Sequence, residues 1–384
     1  MKFDLTEQQI QVRNAVRDFC QKEFHLELAM DLDKKEEFPM ELYKKAAQLG
    51  FTNLIFPEEY GGQGCGLLET CIVVEELCRG DSSLGVAISS GNFGSEFILE
   101  HGTKEQKDKY LPPICKGEYL SAAAFTEPNV SGSEITKMET AATKYGNEWW
   151  INGQKTFITN ATTANFVVVL AQTDPKVRPT HRGETLFIVE KGTPGFEATK
   201  LHNKMGIRCS VTGELNFDNV KVTDWNILGE LNKGFYYSME FFDKTRVGVA
   251  AQAVGMAQGA WEIAFKYAKQ REAFGQPILQ HEAIGMTLAE MATKIEAARL
   301  LTYKAAQLVD DGKLDAMATA MAKYYAGHVA MEVTNTAIQT LGGYGYFGEY
   351  RVEKYHRDAK ITEIYEGTSE IQRLQVLKYL LSKY

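Results

Sequence analysis

The order in which helix-like and strand-like stretches follow one another constrains this 384-residue chain more than any single motif does. Up to about residue 119 the pattern is helical. Thr6 and Gln9 are spaced as a capping box, and Pro39 suits the first turn of a helix. Residues 57–66 (PEEYGGQGCG) read as a loop, and 67–78 return to helix. Another helix begins after His101-Gly102-Thr103, and Pro112-Pro113 close the region. Between about 120 and 229 the character changes. Asn152-Gly153, set between Trp149-Trp150-Ile151 and Thr156-Phe157-Ile158, predicts a hairpin turn. Residues 166–170 and 185–189 are apolar β-branched runs, and 214–217 alternate with period two. From 230 onward helix returns. Ala250, Val254, Ala257, Trp261, Ala264 and Ala268 recur in heptad-like steps, as do Ile284, Leu288, Met291, Ile295 and Ala298. The expected fold is α+β and multidomain. An N-terminal all-α domain (1–119) precedes a small β-barrel or sandwich (120–229) and a C-terminal four-helix bundle (230–384).

Charge narrows the partners. With 42 basic and 50 acidic residues the net charge is −8, and no basic stripe is visible, which argues against nucleic acid. A few local Arg or Lys residues still suffice for a small polyanion such as CoA or a nucleotide. The longest apolar runs, such as 166–171, fall far short of a membrane span. The N-terminal stretch lacks the apolar block of a signal peptide and is too acidic for a transit peptide, so the expectation is a cytoplasmic protein. Cys20, Cys65, Cys71, Cys78, Cys115 and Cys209 form no CxxC pair and match no zinc spacing; they read as free thiols in or near the core.

The most informative stretch is 339–373, QTLGGYGYFGEYRVEKYHRDAKITEIYEGTSEIQR. Gly342, Gly343 and Gly345 break a helix; alone they make a helix–helix turn. Glu366 stands beside Gly367 and Thr368 in an apolar-flanked segment, where a carboxylate can be an ordinary helix-cap acid or a held base. The whole pattern, from Gln339 through Glu349, Lys354 and Asp358 to YEGTSEIQR, closely resembles the C-terminal segment of the acyl-CoA dehydrogenases, in its short/medium-chain, butyryl-CoA dehydrogenase-like branch. The resemblance extends over the chain: EEYGG at 58–62, TEP at 126–128, NGQKTFITN at 152–160, FDKTR at 242–246 and QREAFGQPI at 270–278. The family has the α-β-α order read above.

This resemblance implies a homotetrameric flavoprotein that binds FAD, oxidises an acyl-CoA to the 2-enoyl-CoA and passes electrons to an electron-transfer flavoprotein. It makes Glu366 the base for the α-proton, with Gly367 against the thioester. It assigns Phe125, Thr126, Phe157 and Thr159 to the flavin ring, Thr368 to the FAD diphosphate, and Ser133 to both flavin and CoA phosphates. Arg271, Phe274, His281, Gln339, Gly342 and Gly343 resemble the set that binds the ADP half of FAD, partly across a subunit boundary. Asp243 and Arg246 match CoA contacts. Taken singly, Arg246 and Arg271 are solvated helix charges, Thr126 and Thr159 turn residues, His281 a helix start and Phe274 core. The chemistry wants a base held close in a dry pocket, where its pKa rises toward working pH, and a donor for the thioester oxygen.

The chain departs from the family pattern in places. TEPNVSGSE carries one extra residue and Glu134 where Asp is usual, so either Ser133 or Ser131 can be the matching serine. Phe157 stands where Trp is usual. Gly85 falls where dicarboxylic members carry Arg, which disfavours a glutaryl-type substrate. Isovaleryl-type members place the base near Thr245, so Glu366 favours a short or medium, straight or compact acyl chain, with cyclic groups left open. Two alternatives stand beside the dehydrogenase: an enoyl-CoA reductase running in reverse, and a catalytically idle flavin-binding scaffold. An O₂-using oxidase is disfavoured, since such members are usually much longer.

Overall fold

The computed structural model describes residues 4–384. Helix α1 (Glu7–Glu23) begins where Thr6 and Gln9 exchange side-chain-to-backbone hydrogen bonds of 3.2 and 2.9 Å, so the capping box forms. Helices α2 (Leu26–Lys35), α3 (Met40–Gln48), α4 (Leu67–Gly80), α5 (Ser82–Ser89), α6 (Ser95–His101) and α7 (Lys104–Cys115) follow. Pro112 and Pro113, expected to close the helical region, lie inside α7. They are tolerated in its last turn, where their carbonyls accept from the backbone of Lys116, Glu118 and Tyr119.

The middle of the chain is one eight-stranded sheet. Its strands are β1 (Ser121–Ala124), β2 (Ala141–Tyr145), β3 (Glu148–Thr159), β4 (Phe166–Gln172), β5 (Glu184–Glu190), β6 (Phe196–Lys200), β7 (Thr212–Thr223) and β8 (Ile227–Leu228). They run in the order β6-β7-β3-β2-β4-β5-β8, with β1 parallel to β4. Val167, Val169, Phe187 and Val189 share one core with Ile151, Leu215 and Phe217, so the sheet curls over itself. Val168, Leu170, Leu186 and Ile188 face Phe97, Tyr110 and Phe241 of the helices. Burial on both faces is why β4 is a continuous apolar run. The hairpin turn is not at Asn152-Gly153, as the dipeptide suggested. Those residues lie within β3, and the turn is Gly146-Asn147, joining the paired residues Tyr145 and Glu148. Gly153 marks a bulge against β7; its φ is 145°, and a Cβ there would meet Thr140 Oγ1 at 2.5 Å.

Glu184, at the start of β5, is fully buried, and neither carboxylate oxygen has a hydrogen-bond partner among the described residues. The buried cation that acts on it, Lys155, is hydrogen-bonded instead to Glu127 (2.9 Å). Burial, opposed by Lys155, pushes the Glu184 carboxyl up to about 8. The folded chain therefore holds a proton that the unfolded chain releases in the ordinary carboxylate range, and stability falls as pH rises from that range to about 8. Glu184→Leu is expected to stabilise the protein at that upper end by roughly 1–3 kcal/mol, the cost of an unpartnered buried polar group. Urea denaturation across this pH window should show the wild-type slope flattened in the variant.

The C-terminal helices are α8 (Gly234–Gln270), α9 (Glu282–Asp310), α10 (Ala316–Leu341), α11 (Val352–Ala359) and α12 (Ser369–Lys383). A two-strand ribbon, β9 (Glu272–Ala273) and β10 (Gln276–Pro277), joins α8 to α9. The heptad positions are the core: Ala250, Ala257, Ala264 and Ala268 are fully buried, and Leu288, Met291, Ile295 and Ala298 nearly so. Helix α4 contributes Cys71, Val74 and Cys78 to this core, joining the two helical regions. Five cysteines are buried, Cys65 is half-buried, and all six are free.

A buried ionic cluster ties the three regions together. Lys354 Nζ on α11 donates to Asp81 Oδ1 (2.8 Å) and Asp358 Oδ2 (3.1 Å), and all three side chains are fully buried. Asp81 also caps α5, accepting from the Ser83 and Leu84 backbone. Asp358 accepts from Ser82 Oγ and from the Ile207 backbone N–H, both at 2.5 Å. Among the described residues no helix is long and apolar enough to cross a membrane.

Candidate active site

Glu366 follows a short 3₁₀ segment and precedes α12, in a turn where both it and Gly367 take left-handed backbone, φ 52° and 93°. Left-handed φ in a glutamate is strained, and such strain persists only where the surroundings enforce it. Here three helices enforce it. Arg246 Nε from α8 (3.1 Å) and Gln372 Nε2 from α12 (3.2 Å) donate to the Glu366 carbonyl. Gln372 Nε2 (3.2 Å) and Lys323 Nζ from α10 (2.6 Å) donate to the Gly367 carbonyl. The φ of Gly367 strains any residue with a side chain, and a Cβ there would also displace Gln372 Nε2, which it would meet at 2.6 Å.

The carboxylate itself accepts one hydrogen bond, from Thr245 Oγ1 to Oε2 at 2.7 Å. Burial pushes the Glu366 carboxyl above the usual range, against the pull of that bond and of the Arg246 and Lys323 charges. The C=O and N–H of a planar trans peptide point opposite ways. With the Glu366 carbonyl turned toward Arg246 and Gln372, the Gly367 N–H points away from them, and among the described residues it donates to no acceptor. A carboxylate and, among the described residues, a free backbone donor thus stand side by side. Next to them, a Cβ on Gly248 of α8 would meet nothing within 4 Å, while Gln252 one turn on hydrogen-bonds the Tyr365 hydroxyl and Ser89.

Around this turn the residues singled out from sequence fall into two groups. Phe125 is buried, its ring 4.9 Å from Phe242, whose face in turn lies under Arg246; its carbonyl accepts from Lys155. That aromatic contact brings the end of β1, with Thr126, up to α8. The Thr156 N–H donates to the Thr126 carbonyl (2.9 Å), so Thr126 and Phe157 share one rim of the sheet. Phe157 sits on a bulge of β3 at φ 60° and is 69% exposed. Thr159 pairs with Thr212 of β7. Ser131 and Ser133 are both exposed; Ser131 Oγ accepts from the Ser133 N–H (3.2 Å), and so shapes the loop, while the Ser133 hydroxyl has no partner among the described residues. Thr368 caps α12 through the Ile371 N–H (3.4 Å). Arg246 Nη1 pairs with Asp243 (2.5 Å) and is mostly committed to holding Glu366.

The second group lies at the C-terminal end of α8. Arg271, Gln339, Gly342 and Gly343 line an open cleft of about 640 Å³ with Tyr267, Tyr344 and Tyr350, and this cleft shares no residue with the Glu366 turn. Phe274 tips the β9–β10 ribbon at φ 53°, 99% exposed. His281 steadies that ribbon, its Nε2 3.0 Å from the Ala273 carbonyl. Positions 246 and 271 are separated by roughly 38 Å of helix. One copy of the chain therefore does not bring the two groups to one site.

The residues missed by sequence reading are Thr245, Gln372 and above all Lys323. Only the isolated lysine in the apolar run MAKYYAG signalled the last of them.

Three family models cover nearly the whole chain: acyl-CoA dehydrogenase, N-terminal domain, at 6–118; middle domain, at 122–220; and C-terminal domain, at 232–381. A short-chain specific acyl-CoA dehydrogenase of Clostridium acetobutylicum is 44% identical, over 98% of both chains. The caffeyl-CoA reductase-Etf complex subunit CarC of Acetobacterium woodii is 40% identical, over 98% of this chain and 99% of that one. The structure of butyryl-CoA dehydrogenase from Megasphaera elsdenii superposes with a TM-score of 0.94 at 41% identity, covering 99% of this chain and all of that one.

Proposed function

This chain belongs to the acyl-CoA dehydrogenase family of flavoprotein oxidoreductases, and we propose that it binds FAD and converts a short or compact acyl-CoA to its 2-enoyl thioester, with Glu366 as base. The observation that carries the reading is the half-buried Glu366 carboxylate beside a Gly367 N–H that has no acceptor among the described residues. Glu366 takes the α-proton, and the Gly367 N–H stabilises the thioester oxygen as charge develops on it. Thr245 aims the carboxylate, and desolvation raises its basicity.

The residues present fit FAD. Phe157 offers an exposed aromatic face to a ring, with the hydroxyls of Thr126, Thr159 and Ser133 nearby in sequence and sheet. The N-terminus of α12 at Thr368 suits a diphosphate. Arg271, Gln339, Gly342 and Gly343 would hold the ADP half; Gly342 and Gly343 face open space, where the backbone can approach a ligand. Bound FAD supplies the hydride acceptor. Because the far cleft lies roughly 38 Å along α8 from Arg246, we assign it, with Phe274, to the cofactor of a second copy, as a homotetramer would require. Asp243 and Arg246 would meet CoA with what their mutual ion pair leaves free. We divide the chain into domains at 119/120 and 229/230, and we take an electron-transfer flavoprotein as the partner, the CarC relative being an Etf-complex subunit.

The test is anaerobic bleaching of the flavin absorbance by acyl-CoAs from short to medium chain length, with branched, cyclic and dicarboxylic thioesters included. Bleaching by short or compact straight acyl groups is expected. A flavin that no acyl-CoA bleaches, but that is reoxidised from its reduced form by an enoyl-CoA, would support the second reading, a reductase, with which the 40% identity to the caffeyl-CoA reductase subunit is consistent. A protein that takes up no FAD would overturn both.

A further inference from the structure

Lys323 lies on the buried face of α10 and is fully shielded from solvent. Among the described residues its ammonium makes one hydrogen bond, to the Gly367 carbonyl (2.6 Å), and no ion pair. This is an expensive arrangement: a buried cation without a bonded counter-ion is far less stable than an apolar side chain of the same length. Among the described residues the other buried lysines, Lys155 and Lys354, each sit on carboxylates. Lys323 instead sits on the peptide that follows the base.

The charged groups facing it come from every neighbouring element: Glu366 in the turn, Arg246 on α8, Glu363 in the 3₁₀ segment and Glu370 in the first turn of α12. Gln372 shares the same carbonyl. The 366–367 peptide is anchored by Arg246 and Gln372, and the 367–368 peptide by Lys323 and Gln372. Without Lys323 the second peptide would be held by one neutral donor at 3.2 Å, and the left-handed turn could relax toward ordinary backbone.

We propose that Lys323 is a positioning residue for the reaction: its ammonium holds the Gly367 carbonyl, and so the strained Glu366–Gly367 turn, while its charge favours the ionised form of the base. The assignment rests on Glu366 being that base. Burial pushes the Lys323 ammonium down to about 8, while Glu366 pulls it up. Its protonated form is therefore lost near that pH, and with it the charge that strengthens the bond to Gly367 and favours the ionised base.

The experiment compares wild type, Lys323→Met and Lys323→Arg in flavin reduction by the best acyl-CoA, over a pH series, alongside flavin content and melting temperature. Lys323→Met is expected to retain flavin, with KM within a few-fold. Its kcat should fall on the order of 10–100-fold, as for a lost transition-state interaction, and its acid limb should move to higher pH. Lys323→Arg should recover at least part of kcat and lose the wild-type basic limb, because guanidinium stays charged. Stability provides a readout independent of activity. A lysine whose folded pKa is depressed destabilises the fold below about 8 and does so less as pH rises to its ordinary value, so wild type should gain on Lys323→Met across that window. A merely structural lysine would do the reverse: the Met variant would be less stable, with kcat and pH profile unchanged. That result, or a Met variant within twofold of wild type in kcat, would overturn the assignment alone. If Lys323→Met does not fold, Lys323→Arg decides, since an unmoved basic limb there overturns the assignment. A wild type that no thioester reduces, in either direction, overturns the base reading and this one together.

Discussion

Glu366→Gln is expected to keep its flavin and its substrate affinity while flavin reduction slows by roughly 10²–10⁴-fold, the range for removing a general base. The amide has the carboxylate's shape, and its oxygen can still accept from Thr245 Oγ1, so the strained turn has no reason to collapse. The Arg246, Gln372 and Lys323 bonds all go to backbone carbonyls and survive the change. What disappears is the ability to take a proton. With Glu366 as the proposed base, the ionised form is the active one, and burial raises its pKa, so the rate should fall as pH drops through that raised value. The acid limb should be absent from the residual activity of the glutamine variant. Stopped-flow absorbance of the flavin measures both. A variant within tenfold of wild type would move the base to another residue.

The largest effect on stability is expected at Lys354. Lys354→Met leaves the carboxylates of Asp81 and Asp358 buried without their cation, and breaking such a buried ion pair from one side costs about 3–5 kcal/mol. Burial alone would push the Asp81 carboxyl up, but Lys354, the Leu84 N–H and Arg351 bring it net below the usual range. A depressed carboxylate stabilises the fold above its ordinary pKa and ceases to as pH falls through the folded value, so the wild-type contribution is complete at neutral pH. Adding Asp358→Asn to Lys354→Met should recover part of the loss, because one stranded charge is removed. Denaturation midpoints of the three proteins at neutral pH test this; a Lys354→Met protein within 1 kcal/mol of wild type, about the value of an exposed pair, would show that water reaches the cluster.

Much of this molecule was legible in its sequence where the signal is local or periodic. The capping box at Thr6 and Gln9 and the heptad faces of α8 and α9 need only neighbours within a few turns, and they are as expected. Asn152-Gly153 misled because a dipeptide cannot report the strand facing it. There glycine serves a bulge and a close approach to Thr140, while the turn is made by Gly146-Asn147. The Glu366 segment could be located by motif, but not the groups that hold it. Thr245 is 121 residues away and Lys323 is 44 residues from Gly367, and nothing local to either shows that it reaches this turn. Nor could spacing alone show that Arg246 lies within one 37-residue helix capped by Arg271, roughly 38 Å away.

The ionic cluster also sets a timetable. Asp81 meets Lys354 across 273 residues, an interval that takes roughly 14–55 s to synthesise at 5–20 residues per second. Until then Asp81 is satisfied by capping α5, a bond available as soon as Leu84 is made. The nascent helices can thus wait with that carboxylate occupied, and the arrival of α11 is the event that locks helices, sheet and bundle into one body.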